Sequence, residues 1–268
     1  MLTLLIALIS GGALWYWAYC EKWGTAWEIV CALAGFFLAQ LAAGLIMRGA
    51  IKRRQDKIQS IMLEAQQKIN KQLNLFQIRP PSGGVKSAQQ VLEKIQHDAA
   101  RAALAETESY RGLYLWNLML KRQIAALQAQ LHFQLKEFKK ADEYLEYAIL
   151  QDPQSIAIRM VRLYRNEDAR LDKFARDKIR RAKGEAAAFL ASVYAWIKLK
   201  QDDEKAALAA LVEAKKESDH PVLLDNYTKL ANGKAKQFSN SGFGDMWYAL
   251  YLEEPKLKPQ RQRQGRMF

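Results

Sequence analysis

Two apolar stretches open the chain and decide its fold: Leu2–Tyr19 (LTLLIALISGGALWYWAY) and Trp27–Met47 (WEIVCALAGFFLAQLAAGLIM). The first stretch has no charged residue, and the second has only Glu28, near its outer end. At about 1.5 Å per helical residue, segments of this length cross a hydrocarbon core of roughly 30 Å. We therefore predict a transmembrane helical hairpin over residues 1–47.

Aromatic residues surround the short connection between the two stretches. They are Trp15, Tyr16, Trp17, Tyr19, Trp23 and Trp27. Because indole and phenol rings prefer the headgroup level, this cluster predicts that the connection lies at one membrane face. The first stretch lacks the basic start and the A-x-A site of a cleaved signal peptide, so we expect it to be retained.

Basic residues set the expected orientation. The outer connection carries only Lys22, whereas five basic residues follow the second stretch closely: Arg48, Lys52, Arg53, Arg54 and Lys57. The positive-inside rule then predicts a multi-pass inner (plasma) membrane protein whose soluble domain is cytoplasmic. We expect the five basic side chains to face anionic lipid headgroups.

Small residues recur every four positions in both stretches, at Ala7 and Gly11 and then at Gly35, Ala39 and Ala43. Such stripes let helix backbones approach closely. The simplest use is packing within the hairpin, and contact with a partner's membrane helix is the alternative. Cys20 and Cys31 are interpreted as small apolar residues, with a disulfide near the outer face as the other possibility.

A basic amphipathic connecting helix is predicted over residues 48–78. Apolar residues from Ile51 to Phe76 recur at spacings of three and four, which is typical of one helical stripe. This stripe either covers the domain that follows or forms a short self-associating coiled coil. The run RPPSGG at Arg79–Gly84 breaks the helix, so a linker is predicted over residues 79–85.

The remaining chain is predicted to be helical from residue 86 to residue 252. Between Gly84 and Gly184 the only helix breakers are Gly112 and Pro153. All-β sandwiches and doubly wound α/β folds need turn residues far more often, so the fold class is all-α.

One stretch, Leu120–Gln154 (LKRQIAALQAQLHFQLKEFKKADEYLEYAILQDPQ), resembles a tetratricopeptide repeat, a pair of antiparallel helices. The matching positions are Ala129, Phe138, Ala141, Leu145, Ala148 and Pro153. Two positions depart from the family pattern, because Ala125 stands where Trp is usual and Gln128 stands where Leu is usual.

A second match lies at Ala188–Asp219, where Ala195, Ala207, Leu211 and Ala214 take the equivalent places. Ala141 and Ala207 lie 66 residues apart, close to two repeats of about 34 residues. A degenerate pair of helices is therefore expected over Ile156–Lys183, and a non-repeat helical bundle remains the alternative. In outline the architecture is similar to HemY-type and PelE-type membrane repeat proteins.

The resemblance implies a groove, lined by the first helix of each pair, that binds peptides or partner helices. The corresponding positions here are Gln123, Gln130, Phe133, Gln134, Ser192, Trp196 and Lys200. In the alternative interpretation, Phe133 and Trp196 simply pack against neighbouring helices.

The C-terminal end has two distinct parts. The aromatic segment Met246–Leu252 is predicted to be a last helix that caps the repeats, or else a docking motif for another protein. Residues 253–268 form a basic tail whose composition predicts disorder. Its basic residues are Lys256, Lys258, Arg261, Arg263 and Arg266.

No pattern for catalysis, metal binding or cofactor binding occurs in the sequence. His97, His132 and His220 lie far apart, and the glycine pairs form no phosphate loop. We therefore expect a protein that is not an enzyme, with neither a metal nor a cofactor.

The net charge of +13 is concentrated in patches, including residues 48–78, the Arg159–Lys183 helices and the tail. The predicted function is a membrane-anchored scaffold or assembly factor that binds partner proteins through the repeat groove. The alternative is a membrane-tethered binder of ribosomes or RNA through the basic patches and the tail, although anionic lipid makes nucleic acid a less necessary partner.

Overall fold

The computed structural model describes residues 2–79, 81 and 84–254, and the only regular elements in this part of the chain are helices, without a strand. Helices form 81% of the structure. The chain divides into two compact units, Met1–Ile149 and Leu150–Phe268. The N-terminal unit contains α1 (Leu2–Cys20), α2 (Thr25–Ile78), α3 (Gly84–Thr107), a 3₁₀ turn (Glu108–Leu113), α4 (Leu118–Gln134) and α5 (Phe138–Tyr147).

The C-terminal unit contains six further α-helices and two short 3₁₀ turns, Ala235–Gln237 and Ser241–Phe243. The helices are α6 (Pro153–Arg165), α7 (Leu171–Arg181), α8 (Gly184–Lys200), α9 (Glu204–Lys215), α10 (Pro221–Ala231) and α11 (Asp245–Tyr248). The boundary between the units falls inside the predicted repeat domain of residues 86–252. Most of the predicted tail lies outside the described residues, from Pro255 onward.

Helices α1 and α2 form the hairpin at the N-terminus, and both are long and apolar enough to cross a membrane. Two glycines lie where the helices approach most closely. A Cβ atom on Gly11 would lie 2.8 Å from the carbonyl oxygen of Ala32, and one on Gly35 would lie 2.7 Å from Leu14 Cδ1. The small-residue stripes therefore include the hairpin contact that the sequence predicted, because a larger side chain has no room there.

Helix α2 continues without a break from the apolar stretch into the predicted connecting helix. Its 54 residues correspond to a length of about 80 Å. Beyond the apolar part, the α2 stripe packs on α3 and the 3₁₀ turn and joins a core cluster that also includes residues of α4. That cluster contains Ile58, Ala100, Ala103, Tyr110, Leu120, Ile124 and Leu131. The stripe thus covers the helices behind it, which is the first of its two predicted uses.

One buried and one exposed polar contact join α3 to α4 and the turn that follows it. The Gln128 side-chain amide donates to Thr107 Oγ1 over 3.0 Å, and both residues are buried. Lys136 Nζ lies 2.5 Å from Glu93 Oε1. The first contact explains why Gln128 stands where a tetratricopeptide repeat usually has Leu: its partner on α3 satisfies the buried amide.

Four of the helices that follow α2 end in the same kind of turn. In each turn one residue after the helix adopts the left-handed backbone region. These residues are Lys136 after α4 (φ 60°), Glu167 after α6 (52°), Asp202 after α8 (58°) and Gly233 after α10 (67°). In each turn the next backbone N–H donates to a carbonyl five residues earlier, over 2.8 to 2.9 Å. This bond is the mark of a Schellman ending, which satisfies carbonyls at a helix C-terminus.

The helices that follow the first three turns also share a buried pattern. Each buries an alanine and, four residues later, a leucine or isoleucine: Ala141 and Leu145, Ala175 and Ile179, Ala207 and Leu211. The small alanine permits a close approach, and the larger residue fills the space one turn on. Two helices, α6 and α7, occupy the region in which a degenerate pair was expected.

Candidate partner-binding surfaces

The predicted groove positions on α4 differ in exposure. Gln123 is exposed, and Gln130 and Gln134 are half-buried. Phe133 is only 1% exposed and packs edge-on against Phe138, with 5.4 Å between the ring centroids. Phe133 therefore belongs to the core of the N-terminal unit and offers no surface to a partner in this structure.

The predicted groove positions on α8 also divide into buried and exposed residues. Ser192 is fully buried, and Trp196 is 7% exposed. Lys200 is exposed, and its Nζ lies 5.2 Å from the centroid of the Trp196 ring. The alternative interpretation, in which Phe133 and Trp196 pack against their own chain, is the one that the structure shows.

Trp196 is covered by the C-terminal segment, which we define as residues 240–253. Three contacts place this segment on α8. Asn240 Nδ2 donates to the Ser192 carbonyl over 2.9 Å. Phe243 packs on Phe189 at 5.4 Å and Trp247 packs on Trp196 at 5.7 Å, both edge-on. The part of α8 that the resemblance assigns to partners is therefore partly occupied by the protein itself.

One carboxylate closes this contact. Trp196 Nε1 donates to Glu253 Oε1 over 2.8 Å, and Trp247 Nε1 donates to Glu253 Oε2 over 3.1 Å. Trp247 and Leu250 are fully buried. The aromatic segment thus helps to build the core of the C-terminal unit, as a cap would. Only Asp245–Tyr248 is helical, so the predicted last helix is limited to a single turn.

Lys198 on α8 is buried and has an ionic partner. Its Nζ lies 2.6 Å from Asp172 Oδ1, to which the Tyr194 hydroxyl also donates over 3.0 Å. Burial alone would raise the pKa of the Asp172 carboxyl, but the hydrogen bonds from Lys198 and Tyr194 outweigh it and lower that pKa. Burial raises the pKa of Tyr194 to about 12, so its hydroxyl remains a donor. These contacts fasten α7 to α8.

The five basic residues after the apolar part of α2 fall into two groups. Arg54 Nε donates to the Ser109 carbonyl over 3.0 Å, and Lys57 Nζ lies 3.7 Å from Glu106 Oε1. Arg48, Lys52 and Arg53 have exposed side chains. Two of the five therefore bind the N-terminal unit itself, which leaves three on the surface beside the hairpin. The tail residues Lys256, Lys258, Arg261, Arg263 and Arg266 lie outside the described residues.

His132 lies in the last turn of α4. His132 Nδ1 lies 2.8 Å from Glu137 Oε2, and its ring stacks on Tyr144 with centroids 5.3 Å apart. No group of three or more His, Cys, Asp or Glu side chains could hold a metal ion in the ranges 2–79 and 84–254. His132 instead fastens the end of α4 to the start of α5.

Two features of these surfaces were not predicted from the sequence: the contact of Glu253 and an uncharged apolar run. Glu253 carried no local signal, since its partner Trp196 lies 57 residues earlier in the chain. The uncharged run Gly112–Leu120 did carry one, because charges bound it only at Arg111 and Lys121. The run is too short to cross a membrane, so its apolar composition alone did not identify it as a membrane contact.

Comparisons with protein-family models, with curated proteins and with solved structures find no match for this chain.

Proposed function

We propose that this protein is a membrane-anchored scaffold or assembly factor whose tetratricopeptide-like helix pairs bind partner proteins at the cytoplasmic face of the inner membrane. The proposal rests on a helix-pair geometry that recurs along the chain after the apolar hairpin. Helices α4, α6 and α8 each end in the same left-handed turn, and each is followed by a helix with the same buried alanine and leucine or isoleucine. Repeated helix pairs of this kind present extended surfaces to other proteins.

The side chains available for binding are the polar members of the predicted groove. Gln123 and Lys200 are exposed, and Gln130 is half-buried. The buried Phe133 and Trp196 support the helices that carry them. Amide and ammonium groups donate hydrogen bonds and suit polar or acidic segments of a partner.

The exposed positions provide the test of partner binding. We expect Lys200→Glu and Gln123→Glu to reduce the amount of specific partner protein recovered with the full chain from native membranes, because both place a negative charge in a groove that suits polar or acidic segments without removing core packing. Lys205→Glu and Lys139→Glu, at exposed positions on the second helices of the pairs, are matched controls and should leave recovery unchanged. Quantitative affinity purification measures the difference.

Equal recovery with all four variants would contradict the proposal.

Salt dependence distinguishes the alternative function, binding to ribosomes or RNA, from the proposed binding of partner proteins. Binding to ribosomes or RNA through basic residues falls steeply with salt concentration, and it should vanish when residues after Pro255 are deleted. Binding through the groove should survive both moderate salt and that deletion.

Cys20 provides a natural reporter of orientation. It is a free, exposed cysteine at the outer end of α1, beside the connection between the two apolar helices. With both termini in the cytoplasm, a membrane-impermeant maleimide added to intact spheroplasts should label the wild-type chain and fail to label Cys20→Ser. Labelling only after the membrane is opened would show the opposite orientation.

A further inference from the structure

An uncharged, largely apolar segment spans the end of the 3₁₀ turn, the connection after it and the first residues of α4. We define it as the interfacial loop, residues 112–120 (GLYLWNLML). Leu115 is 68% exposed and Met119 is 53% exposed. Large apolar side chains that are exposed next to each other usually mark a surface that contacts a protein or a membrane.

The position of the interfacial loop favours contact with a membrane over contact with a protein. The backbone N–H of Leu2, at the start of the first apolar helix, donates to the Leu115 carbonyl over 3.3 Å. Trp116 and Met119 share a cleft of about 340 Å³ with Gln40 and Met47 of α2. Gln40 precedes Met47 by seven residues, or about 10 Å along the helix axis. The interfacial loop therefore lies beside the last two turns of the apolar part of α2, and not beyond it.

The charged residues nearby are consistent with a position of the loop beside the end of the apolar part of α2. No charge lies between Arg111 and Lys121. The exposed Arg48, Lys52 and Arg53 follow Met47 directly. A Trp ring at the border between an apolar segment and basic side chains is typical of the level where acyl chains meet headgroups.

We infer that the interfacial loop inserts into the inner leaflet at the boundary between headgroups and acyl chains, as a third membrane contact beside the two spanning helices. Its occupant is the lipid bilayer. The inference rests on the proposed membrane anchoring, since the hairpin sets the depth at which the loop lies. An apolar loop at this level gains stability by removing its side chains from water. It also holds the start of α4 against the membrane.

The test measures the depth of single spin labels in the full chain, reconstituted into phosphatidylethanolamine and phosphatidylglycerol liposomes. Cys20→Ala and Cys31→Ala provide a background without native thiols. Leu115→Cys reports on the loop. Leu63→Cys, 60% exposed on α2 well past its apolar part, is the matched water-exposed control, and Leu38→Cys, 65% exposed within the apolar part, is the lipid reference.

We expect the ratio of collision with oxygen to collision with a polar nickel chelate to be several-fold higher at position 115 than at position 63, and to approach the ratio at position 38. A ratio at position 115 equal to that at position 63, with position 38 in lipid, would overturn the inference and leave the anchor intact. Ratios typical of water at all three positions would overturn the anchor itself. Met119→Cys repeats the measurement in the same loop and decides the outcome if Leu115→Cys fails to fold.

Discussion

Replacement of Trp247 by alanine is expected to destabilise the C-terminal unit by about 3 to 5 kcal/mol. The Trp247 side chain is fully buried, and it packs edge-on against Trp196 at 5.7 Å. Its removal leaves a cavity beside Trp196 and deprives Glu253 of one of its two indole donors. Domains are typically stable by only about 5 to 15 kcal/mol, so this loss would expose α8 at much lower denaturant concentration.

Met246→Ala is the matched control for Trp247→Ala. Met246 is the preceding residue and its side chain is 43% exposed. Its contact with the Gln154 side chain uses the backbone carbonyl, which the substitution keeps. We expect a change within about 0.5 kcal/mol, as is usual for surface positions. Pulse proteolysis of the full chain in detergent across a urea series measures both variants, and equal midpoints would show that the segment is not part of the core.

Gly11→Leu is expected to destabilise the membrane hairpin by about 1 to 3 kcal/mol. A Cβ atom at this position would lie 2.8 Å from the Ala32 carbonyl oxygen and 3.4 Å from Phe36 Cβ, so the longer side chain forces α1 and α2 apart. Because lipid and leucine are similarly apolar, the loss of close helix packing is not offset by a gain in burial.

Gly12→Leu tests the same chemical change one residue later. A Cβ atom at Gly12 meets nothing within 4 Å, so the added side chain enters the lipid without a clash. SDS titration of the full chain, followed by the fluorescence of the tryptophans near the connection, should give a lower midpoint for Gly11→Leu and an unchanged one for Gly12→Leu. A similar loss in both variants would mean that helix propensity, and not close packing, sets the stability of the hairpin.

Local patterns account for what could be predicted from the sequence. The apolar stretches predicted α1 and α2, and the four-residue spacing of small residues predicted the hairpin contact at Gly11 and Gly35. The 66-residue offset between Ala141 and Ala207 predicted the helix pair that α6 and α7 form. Each of these features repeats within one helix or from one helix pair to the next, which is why one sequence reveals them.

The rest depends on contacts between distant residues. Helical spacing places Phe133 and Trp196 on the first helix of a pair, but it does not say which neighbour covers them. For Trp196 the cover comes from Trp247 and Glu253, more than 50 residues later. Likewise, the depth of the interfacial loop follows from the bond between Leu2 and Leu115, which no local pattern contains.

The continuous course of α2 has a mechanical consequence. Its 54 residues contain no proline, the residue that most often kinks a helix. A flexible tether would let the helices after the hairpin move independently of it, whereas the continuous α2 acts as a stiff lever arm. Because α3 packs on this arm, any tilt or axial rotation of α2 must turn α3 through the same angle. If the hairpin spans a membrane as proposed, the membrane thickness, which sets such tilts, would thereby become an input to the N-terminal unit.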